Sequence, residues 1–162
     1  MGTLKLLTSE FTEIDFQLLA IHCPFEGYRL AFFINKTLKI NLIRTKNKLQ
    51  VVQKNGGSDF ERFSFDDVKN DRTWDLIENK NTVNANNDIA VNGLFFESST
   101  RFLTPVFLVP EFKKVDYFLR ISGETDPEMK TEVATELKKI KLITTVYEIN
   151  TDKIKSRNNL IF

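Results

Sequence analysis

Apolar positions recur with period two at the start of "IDFQLLAIHC", where Ile14, Phe16, Leu18 and Ala20 share one face of an extended chain. Leu19 and Ile21 make the second half apolar on the other face as well, which predicts a strand in the interior of a sheet. Beyond Pro24 the spacing changes to three and four. In "FEGYRLAFFINKTL", Phe25, Tyr28 and Phe32 together with Leu30, Phe33 and Ile34 predict a helix with a broad apolar face. "LKINLIR" returns to alternation at Leu38, Ile40 and Leu42, so the chain from Ile14 to Arg44 reads as strand-helix-strand.

The middle has a different character. "TKNK", "KNGGSD" and "NKNTVNANND" are clusters of turn-forming residues. They separate short strand-like runs: "LQVVQ", "FERFSF", "TWDLIEN", "AVNGLFFES" and "RFLTPVFLVP". Lys46 to Val109 therefore reads as an antiparallel meander, and Pro105 places its last strand at an edge or a bulge. The Asn-rich stretch from Asn79 to Asp88 is expected to be the most mobile.

The last third repeats the first pattern. "VDYFLRIS" alternates with Val115, Tyr117, Leu119 and Ile121 on one face. A helix start follows in two registers one residue apart: Thr125 with Glu128 has capping-box spacing, and Asp126 with Pro127 suits the cap and first helical positions. Met129, Val133, Leu137 and Ile140 form a narrow apolar stripe, with Lys138, Lys139 and Lys141 at the end where the helix dipole favours cations. "KLITTVYEI" is the next strand. The pattern predicts a single α+β domain over residues 1–162. It would consist of two strand-helix-strand units in a split ferredoxin-like arrangement, an antiparallel meander inserted between them, and both helices on one side of the sheet. The apolar end "NNLIF" is expected to dock, covering a sheet edge or a core opening.

Composition sharpens this picture. With 41% hydrophobic and 28% charged residues the chain is of ordinary globular type, and its 15 phenylalanines favour an aromatic-filled, β-rich core. Lys and Arg total 23 against 22 Asp and Glu, a net charge of +1, so no overall field steers the chain toward nucleic acid or an anionic membrane. One cysteine, Cys23, excludes an intrachain disulfide and suits a reducing cytoplasm. The opening "MGTLKLLTSEFTEIDF" has no basic region followed by a long apolar run, and no run approaches the length of a membrane span. A cytoplasmic location is expected.

The chemistry-bearing residues are sparse. His22 and Cys23 are neighbours on a strand and so point to opposite faces, which prevents them from acting as base and nucleophile. One His and one Cys do not make a zinc site, and no metal or cofactor is expected. Asp66-Asp67 and the pair Glu111 and Asp116 are the carboxylate candidates; the former reads as a solvated turn. "NGGSD" lacks the lysine and following helix of a phosphate loop, and Ser98-Ser99-Thr100 lacks the glycine-flanked elbow of a serine hydrolase. Lys153, Lys155 and Arg157 with the helix-end lysines could form a basic patch, but no RNA-binding aromatic motif accompanies it.

Val109-Pro110-Glu111, three residues, then Val115-Asp116-Tyr117 is the most specific pattern in the chain. It resembles the signature of the IPExxxVDY family of bacterial proteins, with Val109 standing where the signature has Ile. "YRLAFFINKTL" and "IKSRNNLIF" resemble that family's first helix and C-terminal end, so the resemblance spans most of the chain. It implies a lineage centred on the Bacteroidota and implies no activity, cofactor or ligand. From the residues themselves, Asp116 should either accept hydrogen bonds from backbone amides or an arginine such as Arg29, pinning the turn to the first helix, or join Glu111 in a recognition surface. Glu111, Lys113, Lys114, Asp116 and Arg29 are the candidate binding residues. The expected role is a non-catalytic binding or regulatory module for an unidentified protein partner or small ligand, with a homodimer as a further expectation. A small-ligand sensor is the alternative, and a carboxylate-dependent enzyme using Glu111, Asp116 or Asp66-Asp67 a weaker one.

Overall fold

A computed structural model describes residues 15–53, 56–84 and 103–162. Its centre is a six-stranded sheet built from β1 (Phe16–His22), β2 (Ile43–Arg44), β5 (Arg62–Asp67), β6 (Arg72–Glu78), β9 (Tyr117–Gly123) and β10 (Thr145–Ile149). The spatial order is β10-β1-β9-β6-β5-β2, and every neighbouring pair is antiparallel. Among the described residues two α-helices, α1 (Gly27–Leu38) and α2 (Met129–Leu137), complete an α+β fold.

Within that order, β9 and β10 run parallel with β1 between them and are joined through α2. β1 and β6 run parallel with β9 between them, and α1 lies on the path from one to the other. These four strands and two helices have the order of a double split βαβ unit. The partner that closes the first unit is β6, not the segment after α1. "LKINLIR" contributes only the two-residue β2 at the far edge. The physical reason is local: Lys39 turns the chain in the left-handed conformation at the helix end, and the Asn35 side chain brackets Leu42, accepting its N–H at 2.7 Å and donating to its carbonyl at 3.1 Å. The segment is thus bound back to α1 and does not extend as a strand.

The described ladders of the middle are antiparallel but separate. The hairpin β5–β6 joins the main sheet, while β3 (Leu49–Gln53) pairs with β4 (Gly56–Phe60) and β7 (Lys80–Asn84) with β8 (Leu103–Phe107) in two-stranded ladders. Pro105 opposes Thr82 in β8, whose one partner in the ladder is β7, so the proline costs no bond in a central strand. "AVNGLFFES" and Ser98-Ser99-Thr100 lie outside the described residues.

Both faces of the sheet are covered. On one, Leu19, Ile21, Leu76, Leu119 and Ile121 pack against Leu30 and Ile34 of α1 and Val133 and Leu137 of α2. The stripe Met129, Val133, Leu137, Ile140 is buried along its length. Neither capping register at Thr125–Glu128 makes a side-chain cap bond; the helix begins at Met129. In α1 the buried face is Gly27, Leu30, Ala31 and Ile34, narrower than the sequence pattern suggested, and Tyr28 and Phe32 remain 63% and 61% exposed. A Cβ at Gly27 would come within 2.9 Å of the Phe63 ring, so glycine sets how closely α1 approaches the sheet.

On the other face Phe16, Leu18, Ala20, Ile77 and Phe118 pack under Phe60, Leu108, Val109, Val115, Ile154 and Leu160. Neither α1 nor α2 contributes here. The apolar faces that β1 and β9 present on this side are covered by loop and tail, and the C-terminal segment is part of the cover: Leu160 is fully buried and the Phe162 ring lies 4.1 and 4.6 Å from the guanidinium carbons of Arg62 and Arg120. Those two arginines hold the fully buried Asp75 at 2.8 and 2.9 Å. Burial lowers the Arg120 pKa and the Asp75 carboxylate opposes that shift. Arg157 lies over the Phe16 ring on this tail side, whereas Lys138 and Lys139 follow α2 on the other face of the sheet.

Candidate functional site

The stretch from Val109 to Tyr117 sits where β6 ends and β9 begins, and one buried side chain organises it. Asn79 is fully buried directly after β6. Its amide donates to the carbonyls of Phe112 and Val115, each at 2.9 Å, and its side-chain oxygen accepts the Val109 N–H at 2.9 Å. Its backbone is used as fully: the N–H donates to the Asp116 carbonyl and the carbonyl accepts from the Leu108 N–H, both at 2.9 Å. Pro110–Phe112 form a single 3-10 turn, a shape that leaves carbonyls and amides without sheet partners. Two bonds close within the stretch, from the Phe112 N–H to the Val109 carbonyl and from the Val115 N–H to the Phe112 carbonyl, both at 3.0 Å, and Asn79 adds the three side-chain bonds above. The residue read from sequence as the start of a mobile stretch is therefore a fixed point of the fold; Ala85 to Asp88 lie outside the described residues.

Val115 belongs to the second core with Leu108 and Val109, not to the face shared by Tyr117, Leu119 and Ile121. Its position follows from the turn before it, since the strand starts only at Tyr117.

Asp116 bonds to backbone and to a lysine. Oδ2 accepts the Cys23 N–H at 2.9 Å, at the turn that leads into α1, and Oδ1 pairs with Lys80 Nζ at 2.7 Å. Arg29 is not its partner: the Arg29 guanidinium lies 4.5 Å over the Phe25 ring. Glu111 faces the C-terminal segment, where its Oε1 accepts the Ser156 N–H at 2.7 Å and the Ser156 hydroxyl at 3.2 Å. Partial burial pushes the Glu111 carboxyl up, but hydrogen bonds from backbone amides and from the Ser156 hydroxyl outweigh it and hold the group below its ordinary value. Lys114 offers its carbonyl to Lys80 Nζ at 3.4 Å. Lys113 is exposed, with its ammonium 6.0 Å from the Phe107 ring centre.

The candidate residues thus divide. Glu111 ties the turn to the tail, Asp116 ties it to the α1 turn, and Arg29 stands on α1. Asp66 and Asp67 are engaged by Thr73 and Asn70 at the opposite end of β6, roughly 20 Å from Glu78 for a seven-residue strand. Among the described residues no group of three or more His, Cys, Asp or Glu is placed to hold a metal ion.

Two depressions open beside the turn. A groove of about 490 Å³ runs along β7 and β8, lined by Glu78, Lys80, Pro105, Phe107 and Lys113 among others. A smaller pocket of about 180 Å³ lies between the α1 turn and Tyr117, with Cys23, Phe25 and Asp116 in its wall. Glu78 and Lys80 belong to both. Burial raises the Glu78 pKa; the Glu61 backbone N–H and the charge of Lys48 oppose this and the charge of Glu61 adds to it. Tyr117 donates its hydroxyl to the Phe25 carbonyl at 2.7 Å, and burial raises its pKa, as it does that of the Cys23 thiol. Cys23 faces the helix-side core while His22 lies against Tyr147 with ring centres 5.7 Å apart.

Sequence reading found Lys113 and Asp116 but missed Asn79, Glu78 and Lys80. The signal for Lys80 and Glu78 was present in part: both flank Asn79 at the end of an apolar run, with a period of two that places them on one face. Comparison with protein-family models, with curated proteins and with solved structures finds no match. Among the described residues no helix is long and apolar enough to cross a membrane.

Proposed function

We propose that the protein is a non-catalytic binding module of the cytoplasm, and that its recognition surface is the groove between Lys113 and Glu78. One observation carries this reading. The carboxylates of the Val109–Tyr117 turn are committed to internal bonds, Glu111 to Ser156 and Asp116 to Cys23 and Lys80, whereas the groove beside them presents charged groups that the fold does not consume. A rigid turn with an open groove is what a binding surface requires. A carboxylate-dependent reaction draws less support: Glu111 faces the tail and Asp66-Asp67 lie at the far end of β6, so these groups do not converge on one substrate. The resemblance to the IPExxxVDY family adds a lineage to this reading and no reaction.

The test is affinity capture from a native lysate with wild type and Lys113→Glu, analysing bound proteins and bound small molecules alike. Lys113 is exposed, so the substitution should leave the melting temperature unchanged within about 0.5 kcal/mol of stability. A species retained by wild type and lost by the folded variant supports the groove. Equal retention by both overturns it.

A further inference from the structure

The groove contains one carboxylate and one ammonium with no ion-pair partner among the described residues. Glu78 is the first. Its side-chain hydrogen bond is a long one, from the Glu61 N–H at 3.4 Å, and the Glu61 side chain is itself taken by Arg44. Lys113 is the second, held by its approach to the Phe107 ring. The third charged group in the groove, Lys80, is neutralised by Asp116. The rest of the wall is mixed: Pro105 and Phe107 are its apolar part, and Asn81 and Thr82 its uncharged polar part.

We propose that this groove binds a small zwitterion, a free α-amino acid with an apolar side chain. Its ammonium pairs with Glu78, its carboxylate with Lys113, and its side chain rests on Pro105 and Phe107. The proposal rests on the binding-module reading above and gives it a ligand class. The size agrees: a groove of about 490 Å³ has room for a free amino acid. The electrostatics agree as well. Burial holds the Glu78 carboxyl above its ordinary value against the charge of Lys48, and an arriving ammonium supplies a contact ion pair that no described residue makes. A simple amine would leave Lys113 unpaired and a simple carboxylate would leave Glu78 unpaired, so the site selects a ligand carrying both charges.

The test is calorimetric titration of the full chain with a pool of L-leucine, L-isoleucine, L-methionine and L-phenylalanine. Two single-charge probes, 3-methylbutylamine and 4-methylpentanoate, are titrated separately. The same titrations are made with Glu78→Gln and Lys113→Met. Saturable binding of the pool is expected, weaker by roughly tenfold or more in each variant and for each single-charge probe. Absence of saturable binding overturns the proposal, as does binding that neither variant weakens or that the single-charge probes reproduce. If the pool does not bind but lysate capture still depends on Lys113, the ligand class is wrong and the binding-module reading stands. If capture is also independent of Lys113, both fall.

Discussion

Asn79 donates its side-chain amide to the Val115 carbonyl at 2.9 Å, joining the end of β6 to the residue before Asp116 across 36 positions of chain. The same amide also reaches Phe112, and its oxygen holds Val109. Three backbone groups of a non-repetitive turn are thereby satisfied inside a buried environment by one residue. The turn that carries Glu111, Lys113 and Asp116 owes its shape to this residue more than to its own sequence. Pro110 fixes one dihedral and two backbone bonds close within the turn, Phe112 N–H to the Val109 carbonyl and Val115 N–H to the Phe112 carbonyl, while the bonds that anchor it to the sheet come from Asn79.

Asp116→Asn should lower stability by about 1 kcal/mol. An amide oxygen can still accept the Cys23 N–H, but it loses the charge that pairs with Lys80, a partly exposed ion pair of modest worth. Asp116→Ala removes both partners and should cost about 1–3 kcal/mol. Thermal melting of the two variants beside wild type checks the order. Melting of both at the wild-type temperature would remove Asp116 from the account of the fold.

Deletion of Leu160 to Phe162 should destabilise by a few kcal/mol. Leu160 is fully buried, worth about 1.5–3 kcal/mol, and the Phe162 ring covers Arg62 and Arg120 above the buried Asp75. Urea unfolding measures the loss. Full-length stability in the truncated chain would mean that the tail covers the second core without contributing to it.

Two carboxyls near the turn should respond to pH with opposite sign. The folded Glu78 pKa is raised, so the unfolded chain releases its proton first as pH rises. Stability then falls between the ordinary glutamate value and the raised one. Glu78→Gln should therefore melt above wild type at neutral pH and level with it in acid. The folded Glu111 pKa is lowered, so its contribution is present above the ordinary value and is lost as pH falls through the folded one. Glu111→Gln should melt below wild type at neutral pH, with the difference closing in acid. Melting temperatures across pH for both variants decide the signs.

What the sequence revealed and what it hid have separate physical causes. β1 was legible as an interior strand because Leu18 and Leu19 and then Ala20 and Ile21 bury on alternate faces, and period two reports burial directly. The stripe of α2 was legible for the same reason at period 3.6. The error at β2 arose because alternation in "LKINLIR" cannot reveal that Asn35 turns the segment back on α1. Tyr28 and Phe32 were counted into the buried face of α1 because hydropathy alone does not distinguish an aromatic side chain in a core from one in water. Asn79 was hidden for a related reason: in an Asn-rich run, composition points to solvent, and only the fold shows that one of these amides meets three backbone groups of a distant turn. The candidate site was half legible. Lys113 and Asp116 belong to a distinctive motif, while Glu78 and Lys80 come from another part of the chain and join them only through the pairing of β6 with β9.

The central claim is that the turn from Val109 to Tyr117 is an internal clasp closed by Asn79. Urea unfolding of Asn79→Ala beside wild type tests it most directly. Removing the side chain leaves the Val109 N–H and the Val115 carbonyl without partners and the Phe112 carbonyl with the Val115 N–H alone, which predicts a loss of roughly 2–5 kcal/mol with little change in the denaturant slope. A midpoint within about 0.5 kcal/mol of wild type would contradict the claim, since changes of that size are typical of surface positions.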